Sequence, residues 1–308
     1  ARKFGQKTIV ITHNTMLRDQ WAREVEKLFG IKPGIIGSGE FNIDSQIVIG
    51  NVQTVTKIVS KISSEFGTLI LDEAHHVPAD TFSKIIDGFR ARYRIALSGT
   101  VVRKDGKHVL FKDYFGHTIY KPKQANTINP TIKVFKTGIS LLSGATWIQK
   151  MNHLLYDPEY QDLVALVANR QIAKGHKVLV VGDRLEFLHG VYNRMEHDNV
   201  LLVTGGASID DRIAAENSIN DGTKNGIIGS RQIFAEGISI NGLSCLILPV
   251  PINNDVLLEQ LCGRVMRIHP EKLNPLVVDF HFAGLSSRKQ NNARLGFYLG
   301  KGWEIEQL

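Results

Sequence analysis

The chain has 308 residues, 43% of them hydrophobic and 22% charged, with 37 basic residues against 30 acidic and a formal charge of +7. That length accommodates two domains with separate cores, and the composition is that of a soluble globular protein rather than a disordered or collagen-like one. No apolar run approaches the roughly 20 residues that cross a bilayer, no signal-peptide pattern opens the sequence, and the only cysteines, Cys245 and Cys262, sit in apolar surroundings as reduced packing residues.

A cytoplasmic protein with no membrane partner is therefore expected. The basic excess suits a polyanionic partner. It gathers at Arg90, Arg92, Arg94, Arg103, Lys104 and Lys107, and again at Arg264, Arg267 and Lys272, where a solvated basic face is the other reading.

Lys7–Thr12 reads as a strand and Met16–Phe29 as an amphipathic helix with Leu17, Trp21, Val25 and Leu28 on one side. Gln46–Gly50, Thr68–Leu71 and Arg94–Leu97 follow as strands with helical stretches between them. Lys121–Ser143 breaks the pattern with Pro122, Pro130 and Gly138, and is predicted to join two domains. The expected division is residues 1–125, a linker at 126–150, and residues 151–308. In the second half the predicted strands are Lys177–Val181, Val200–Val203, Gly226–Ile228, Cys245–Val250 and Leu276–Phe280. The predicted helices are Pro158–Lys174, Arg184–Met195, Ile209–Asn220 and Asp255–Arg267. Continuous Val/Ile/Leu strands alternating with helices predict two α/β lobes built on mainly parallel sheets. Ligands bind such sheets beyond the carboxyl ends of the strands.

Asp72 and Glu73 stand directly after the strand Thr68–Leu71. A carboxylate at the end of a buried strand costs desolvation unless a cation or hydrogen bonds compensate. Two in succession suit one that holds Mg²⁺ and one that positions a water against a γ-phosphate; a helix cap is the alternative. Ser98-Gly99-Thr100 ends the strand Arg94–Leu97, where small hydroxyl residues relay position or simply form a turn. Gln260, Arg264 and Arg267 fall at helical spacings of four and three, so one helix face is expected to carry both guanidinium groups towards an anion.

In this order, Asp72-Glu73-Ala74-His75, Ser98-Gly99-Thr100 and Gln260-Leu261-Cys262-Gly263-Arg264-Val265-Met266-Arg267 resemble motifs II, III and VI of the superfamily 2 helicases and translocases. The likeness extends to Thr12–Leu17 (motif Ia), Gly50–Thr54 (Ib), Val178–Arg184 (IV) and Gly229–Ser239 (V). Ser98–Gly106 looks more like the DNA-directed branch, and Phe234–Ser239 with Asn241-Gly242-Leu243 is similar to phage recombination helicases of the UvsW kind. Ser239 departs from the common form, in which Asp follows the Gly-Ile pair.

The resemblance implies two RecA-like lobes with ATP and Mg²⁺ between them. It implies Asp72 on the metal and Glu73 on the attacking water, with Gln260, Arg264 and Arg267 at the γ-phosphate. His75, Ser98, Thr100 and Gly237 would couple the nucleotide to the nucleic acid. Thr15, Gln53, Thr54, Arg103, Thr204, Gly205 and Arg231 would contact single-stranded, forked or branched DNA without regard to sequence. The implied activity is an ATP-dependent DNA helicase or translocase that remodels branched or duplex DNA in recombination, repair or replication. An RNA helicase and a non-hydrolysing nucleic-acid-binding module are the alternatives. No Gly-x-Gly-Lys-Thr-like phosphate loop occurs in the sequence, so the intact protein is expected to continue upstream and the chain as given to hydrolyse ATP poorly.

Overall fold

The computed structural model describes residues 5–74, 77, 79–98, 113–116, 118–120, 127–236, 240–270 and 272–307. The chain forms two compact units, Ala1–Pro122 and Lys123–Leu308.

The first unit holds strands β1 (Thr8–Thr12), β2 (Gly34–Gly37), β3 (Glu40–Phe41), β4 (Ile47–Asn51), β5 (Thr68–Leu71) and β6 (Tyr93–Ala96). Its helices are α1 (Thr15–Phe29), α2 (Val52–Ile62) and α3 (Ala79–Gly88). The sheet order is β3-β2-β4-β1-β5-β6, and every pairing is parallel except that of β2 with β3. Side chains alternate across a strand, and the two faces divide accordingly. Ile9, Ile11, Val48, Leu69 and Leu71 pack under α2 and α3. Val10, Ile47 and Ile49 meet Trp21, Ala22 and Val25 of α1. Each such side chain, fully buried, contributes about 1.5–3 kcal/mol. Helix α1 starts where the Asn14 side chain accepts the Leu17 N–H at 2.8 Å and stops at Gly30, whose left-handed φ of 66° a side chain would disfavour.

The second unit holds β7 (Thr131–Ser140), β8 (Val178–Gly182), β9 (Val200–Val203), β10 (Gly226–Ser230), β11 (Cys245–Leu248), β12 (Leu276–Ala283) and β13 (Glu304–Gln307). Its helices are α4 (Trp147–Leu155), α5 (Pro158–Ala173), α6 (Leu185–Tyr192), α7 (Ile209–Asn220), α8 (Arg231–Glu236), α9 (Asp255–Met266) and α10 (Leu285–Gly300). All pairings in the order β13-β7-β12-β11-β8-β10-β9 are parallel. The carboxyl ends of all seven strands therefore share one edge. Leu179, Val181, Leu246 and Leu248 line one face, and Val178, Val180, Cys245 and Ile247 the other. Both cysteines are buried and unbridged, and burial pushes their thiols up, away from reactivity.

Two expectations need correction. The stretch 126–150 is not a plain linker, because Thr131–Ser140 is a ten-residue strand inside the second sheet, paired with β12 and β13. Lys133 separates the buried Ile132 and Val134 and Lys136 follows Phe135, so the strand lacks the continuous apolar run that marks its neighbours. The helix read as Asp255–Arg267 ends at Met266, and Arg267 is extended (φ −62°, ψ 136°). Its backbone is drawn off by a bridge to Thr127 and by the Ile128 N–H, which donates to the Met266 carbonyl at 2.8 Å.

Candidate nucleotide and nucleic-acid sites

Asp72 continues the line of β5 for one residue, its N–H bonded to the Ile11 carbonyl of β1 at 2.9 Å. Its carboxylate is half-buried at the carboxyl edge of the sheet. Oδ2 accepts the Trp21 indole N–H at 2.7 Å and Oδ1 accepts the Glu73 N–H at 2.9 Å. An ionised carboxylate offers about four lone-pair sites, so these donors fix its orientation and leave capacity for a cation. Helix α3 begins only at Ala79, so Asp72 does not cap it. Glu73 adopts a left-handed φ of 45°, a conformation costing about 1–3 kcal/mol in a residue with a side chain. That reversal takes the chain out of the sheet plane, and the Ala74 N–H returns to the Leu97 carbonyl at 3.0 Å.

This donor set fits Mg²⁺. The ion prefers hard oxygen and is commonly held by one or two carboxylates plus substrate phosphates rather than by an all-protein cage. Among the described residues no group of three or more His, Cys, Asp or Glu side chains gathers as such a cage.

Beside Asp72, the ends of β1 and β4 meet in register, Thr12 opposite Asn51. The buried Asn51 amide donates to Thr15 Oγ1 at 3.1 Å, and Gln53 Nε2 donates to the His13 carbonyl at 3.1 Å. Thr15 and Gln53 are exposed and Thr54 is half-buried, and these three of the residues expected to meet nucleic acid lie at the carboxyl edge of the first sheet. Gly50 of β4 lets α2 pack close, since a Cβ there would sit 2.5 Å from Val55 Cγ2.

In the second unit, Thr204 and the exposed Gly205 follow β9, and Arg231 follows β10. Ser230 is in register with Gly182 of β8, which places Arg231 beside Asp183, and the two form an ion pair. Burial lowers the Arg231 guanidinium to about 10, still charged at neutral pH. Asp183 was missed by sequence reasoning. The signal was present, since it follows the apolar strand Val178–Gly182 as Asp72 follows β5.

On α9, Gln260 and Arg264 lie four residues apart and both are half-buried. Arg267 points from extended backbone instead of sharing their helical face, and its Nη1 donates to Asn241 Oδ1 at 3.1 Å. Burial lowers its guanidinium, partly offset by Glu216. Lys272 Nζ donates to the Arg267 carbonyl at 2.7 Å, and burial together with the Arg267 charge brings its amine down to about 8.

Ser98 is exposed after β6. His75, Thr100, Arg103 and Gly237 lie outside the described residues, as do Lys104 and Ser239. The C-terminal stretch leaves Arg288 and Lys289 exposed but turns its larger side chains inward. Arg294, Tyr298 and Trp303 are 2%, 0% and 6% exposed, with Trp303 stacked on Tyr298.

Both α/β units are built on mainly parallel sheets with polar and charged residues at the carboxyl edges. The chain belongs to the superfamily 2 helicases. Its residues 1–103 match the family described as "Type III restriction enzyme, res subunit" and residues 159–269 the "Helicase conserved C-terminal domain". It is 43% identical to "Probable helicase D10" of Escherichia phage T5, over 99% of this chain and 68% of that protein. It is 24% identical to "ATP-dependent DNA helicase uvsW" of Enterobacteria phage T4, over 94% of this chain and 62% of that protein. The chain thus spans about two thirds of the length of these relatives. In fold it is similar to Saccharomyces cerevisiae Dbp5 bound to RNA and ADP BeF3, with a TM-score of 0.68, 13% identity, and coverage of 98% of this chain and 77% of that one. The lobes are RecA-like. No helix among the described residues is long and apolar enough to cross a membrane.

Proposed function

We propose that the chain carries the motor core of an ATP-dependent DNA helicase or translocase that remodels branched or duplex DNA in recombination, repair or replication. The observation that carries this reading is the placement of Asp72 and Glu73 at the carboxyl edge of the first sheet, beside Thr15 and Gln53. Membership in a helicase family with phage relatives, one of them named a DNA helicase, supports it.

Asp72 presents a carboxylate oriented by Trp21 and by the Glu73 N–H, and it is the residue that would hold Mg²⁺. When bound, the ion would neutralise charge on the nucleotide phosphates. Glu73 orients the attacking water and accepts its proton. Gln260, Arg264 and Arg267 supply hydrogen bonds and positive charge to the γ-phosphate. His75, Ser98, Thr100 and Gly237 relay the state of the nucleotide. Thr15, Gln53, Thr54 and Gly205 offer hydroxyl, amide and backbone groups to the sugar-phosphate chain, and Thr204, Arg103 and Arg231 act alongside them. Such contacts read no base identity.

The test is stimulation of ATP hydrolysis by the full-length protein with forked DNA, single-stranded DNA and RNA of equal length. The reading requires the forked DNA to stimulate most. Stimulation by RNA above both DNAs would replace it with an RNA helicase.

A further inference from the structure

The Trp21 indole bonds a carboxylate 51 positions away in sequence. The two residues stand on different elements, α1 and the end of β5. A buried indole N–H usually finds a partner, and packing alone would be the simplest account of it. Trp21 is only half-buried, however, and α1 is already anchored on the sheet by the buried Leu17 and Val25. A water could serve the indole in that position. It instead donates to an ionised group, a class of hydrogen bond roughly twice as strong as a neutral one.

The same helix begins at Thr15, whose hydroxyl is held by Asn51 at the expected nucleic-acid edge. Trp21 stands six positions after Thr15 on the helix, a rise of about 9 Å. One rigid element therefore has a candidate nucleic-acid contact at its first residue and a donor to the candidate metal carboxylate fewer than two turns later.

We infer that Trp21 is a positioning residue: its indole N–H holds the Asp72 carboxylate in the orientation that takes the metal, and α1 transmits displacement at its nucleic-acid end to that carboxylate. This rests on the proposed role of Asp72. Donors that orient metal-ligating groups commonly change metal affinity about 10–100-fold when removed. Trp21→Phe keeps most of the ring packing and deletes only the N–H donor.

The first experiment uses the chain as it stands, labelled with nitrogen-15. It contains three tryptophans, Trp21, Trp147 and Trp303, hence three indole N–H resonances. Trp21→Phe assigns one by deletion. The inference requires Asp72→Asn to move that resonance while leaving the other two in place, and MnCl2 to broaden it selectively in the wild-type chain. If Asp72→Asn leaves the Trp21 resonance unmoved, the inference is overturned.

The second experiment uses the full-length protein. Trp21→Phe should raise the Mg²⁺ concentration for half-maximal ATP hydrolysis about tenfold, with turnover recovering at saturating Mg²⁺. It should also weaken stimulation by DNA. Unchanged Mg²⁺ dependence together with unchanged stimulation would also overturn the inference. Asp72→Asn in the same assay separates the two claims: if it hydrolyses normally, the role of Asp72 itself falls, whatever Trp21 does.

Discussion

Arg231 and Asp183 form an ion pair across the ends of the neighbouring strands β10 and β8. A guanidinium expected to meet a phosphate is thereby held by a carboxylate that competes with it. Asp183→Asn removes the competitor and keeps the shape. The variant should bind single-stranded DNA more tightly than wild type, and the slope of log K against log salt should steepen by about 0.7, the increment for one added phosphate contact. Arg231→Ala should weaken binding and flatten the slope. A salt titration followed by fluorescence anisotropy measures both.

Gln53 and Thr15 are neutral, so their contacts release no counterions. Gln53→Ala should reduce DNA affinity by about 0.5–1.5 kcal/mol, the net worth of one hydrogen bond. The loss should be equal across sequences, with the salt slope unchanged. A loss that depended on base sequence would show that Gln53 reads base edges.

In the second unit Asp279 is fully buried on β12. Arg294 Nε of α10 donates to both of its oxygens, at 3.0 and 2.8 Å, and the Tyr298 hydroxyl donates to Oδ2 at 3.1 Å. Burial alone would raise the Asp279 carboxyl, but Arg294 and the His281 hydrogen bond outweigh it and hold it below its usual value. The stabilisation is thus present above the ordinary aspartate range and lost as pH falls through the lowered folded value. Arg294→Leu leaves the carboxylate buried without its cation, a change costing about 3–5 kcal/mol at neutral pH. Its folded-state carboxyl would then be raised, so the deficit relative to wild type should shrink as pH falls towards 4. Urea titrations at several pH values, followed by the fluorescence of Trp303 stacked on Tyr298, check this. A deficit that grows with acidity would contradict the assignment.

The sequence carries no phosphate-binding loop, and the arginines of motif VI do not replace one. The 308-residue chain alone should show little ATP hydrolysis with or without DNA. A malachite-green phosphate assay reads the result, and robust DNA-stimulated turnover would refute it.

Strands β1, β4, β5 and β8 to β12 were legible because parallel strands buried on both faces are written as unbroken apolar runs. Strand β7 was not, since Lys133 and Lys136 interrupt it, and β13 is the short charged edge Glu304–Gln307. Motif spacing singled out candidate residues but not the contacts that orient them. The bond from Trp21 to Asp72 and the pair formed by Arg231 and Asp183 join residues 51 and 48 positions apart, so they depend on how the chain folds back. Arg267 shows the converse: its spacing read as helical, and pairing with residues near Thr127 took it out of the helix. Tyr298 and Trp303, which follow a basic stretch in the sequence, close the second core.

In the proposed function Asp72 and Glu73 form the hydrolytic half of a nucleotide site. Glu73→Gln in the full-length protein tests it most directly, with DNA-stimulated ATP hydrolysis and nucleotide binding measured on the same preparation. Turnover should fall about 100-fold or more, the lower bound for a general base, with nucleotide affinity nearly unchanged. Turnover close to wild type in that variant would contradict it.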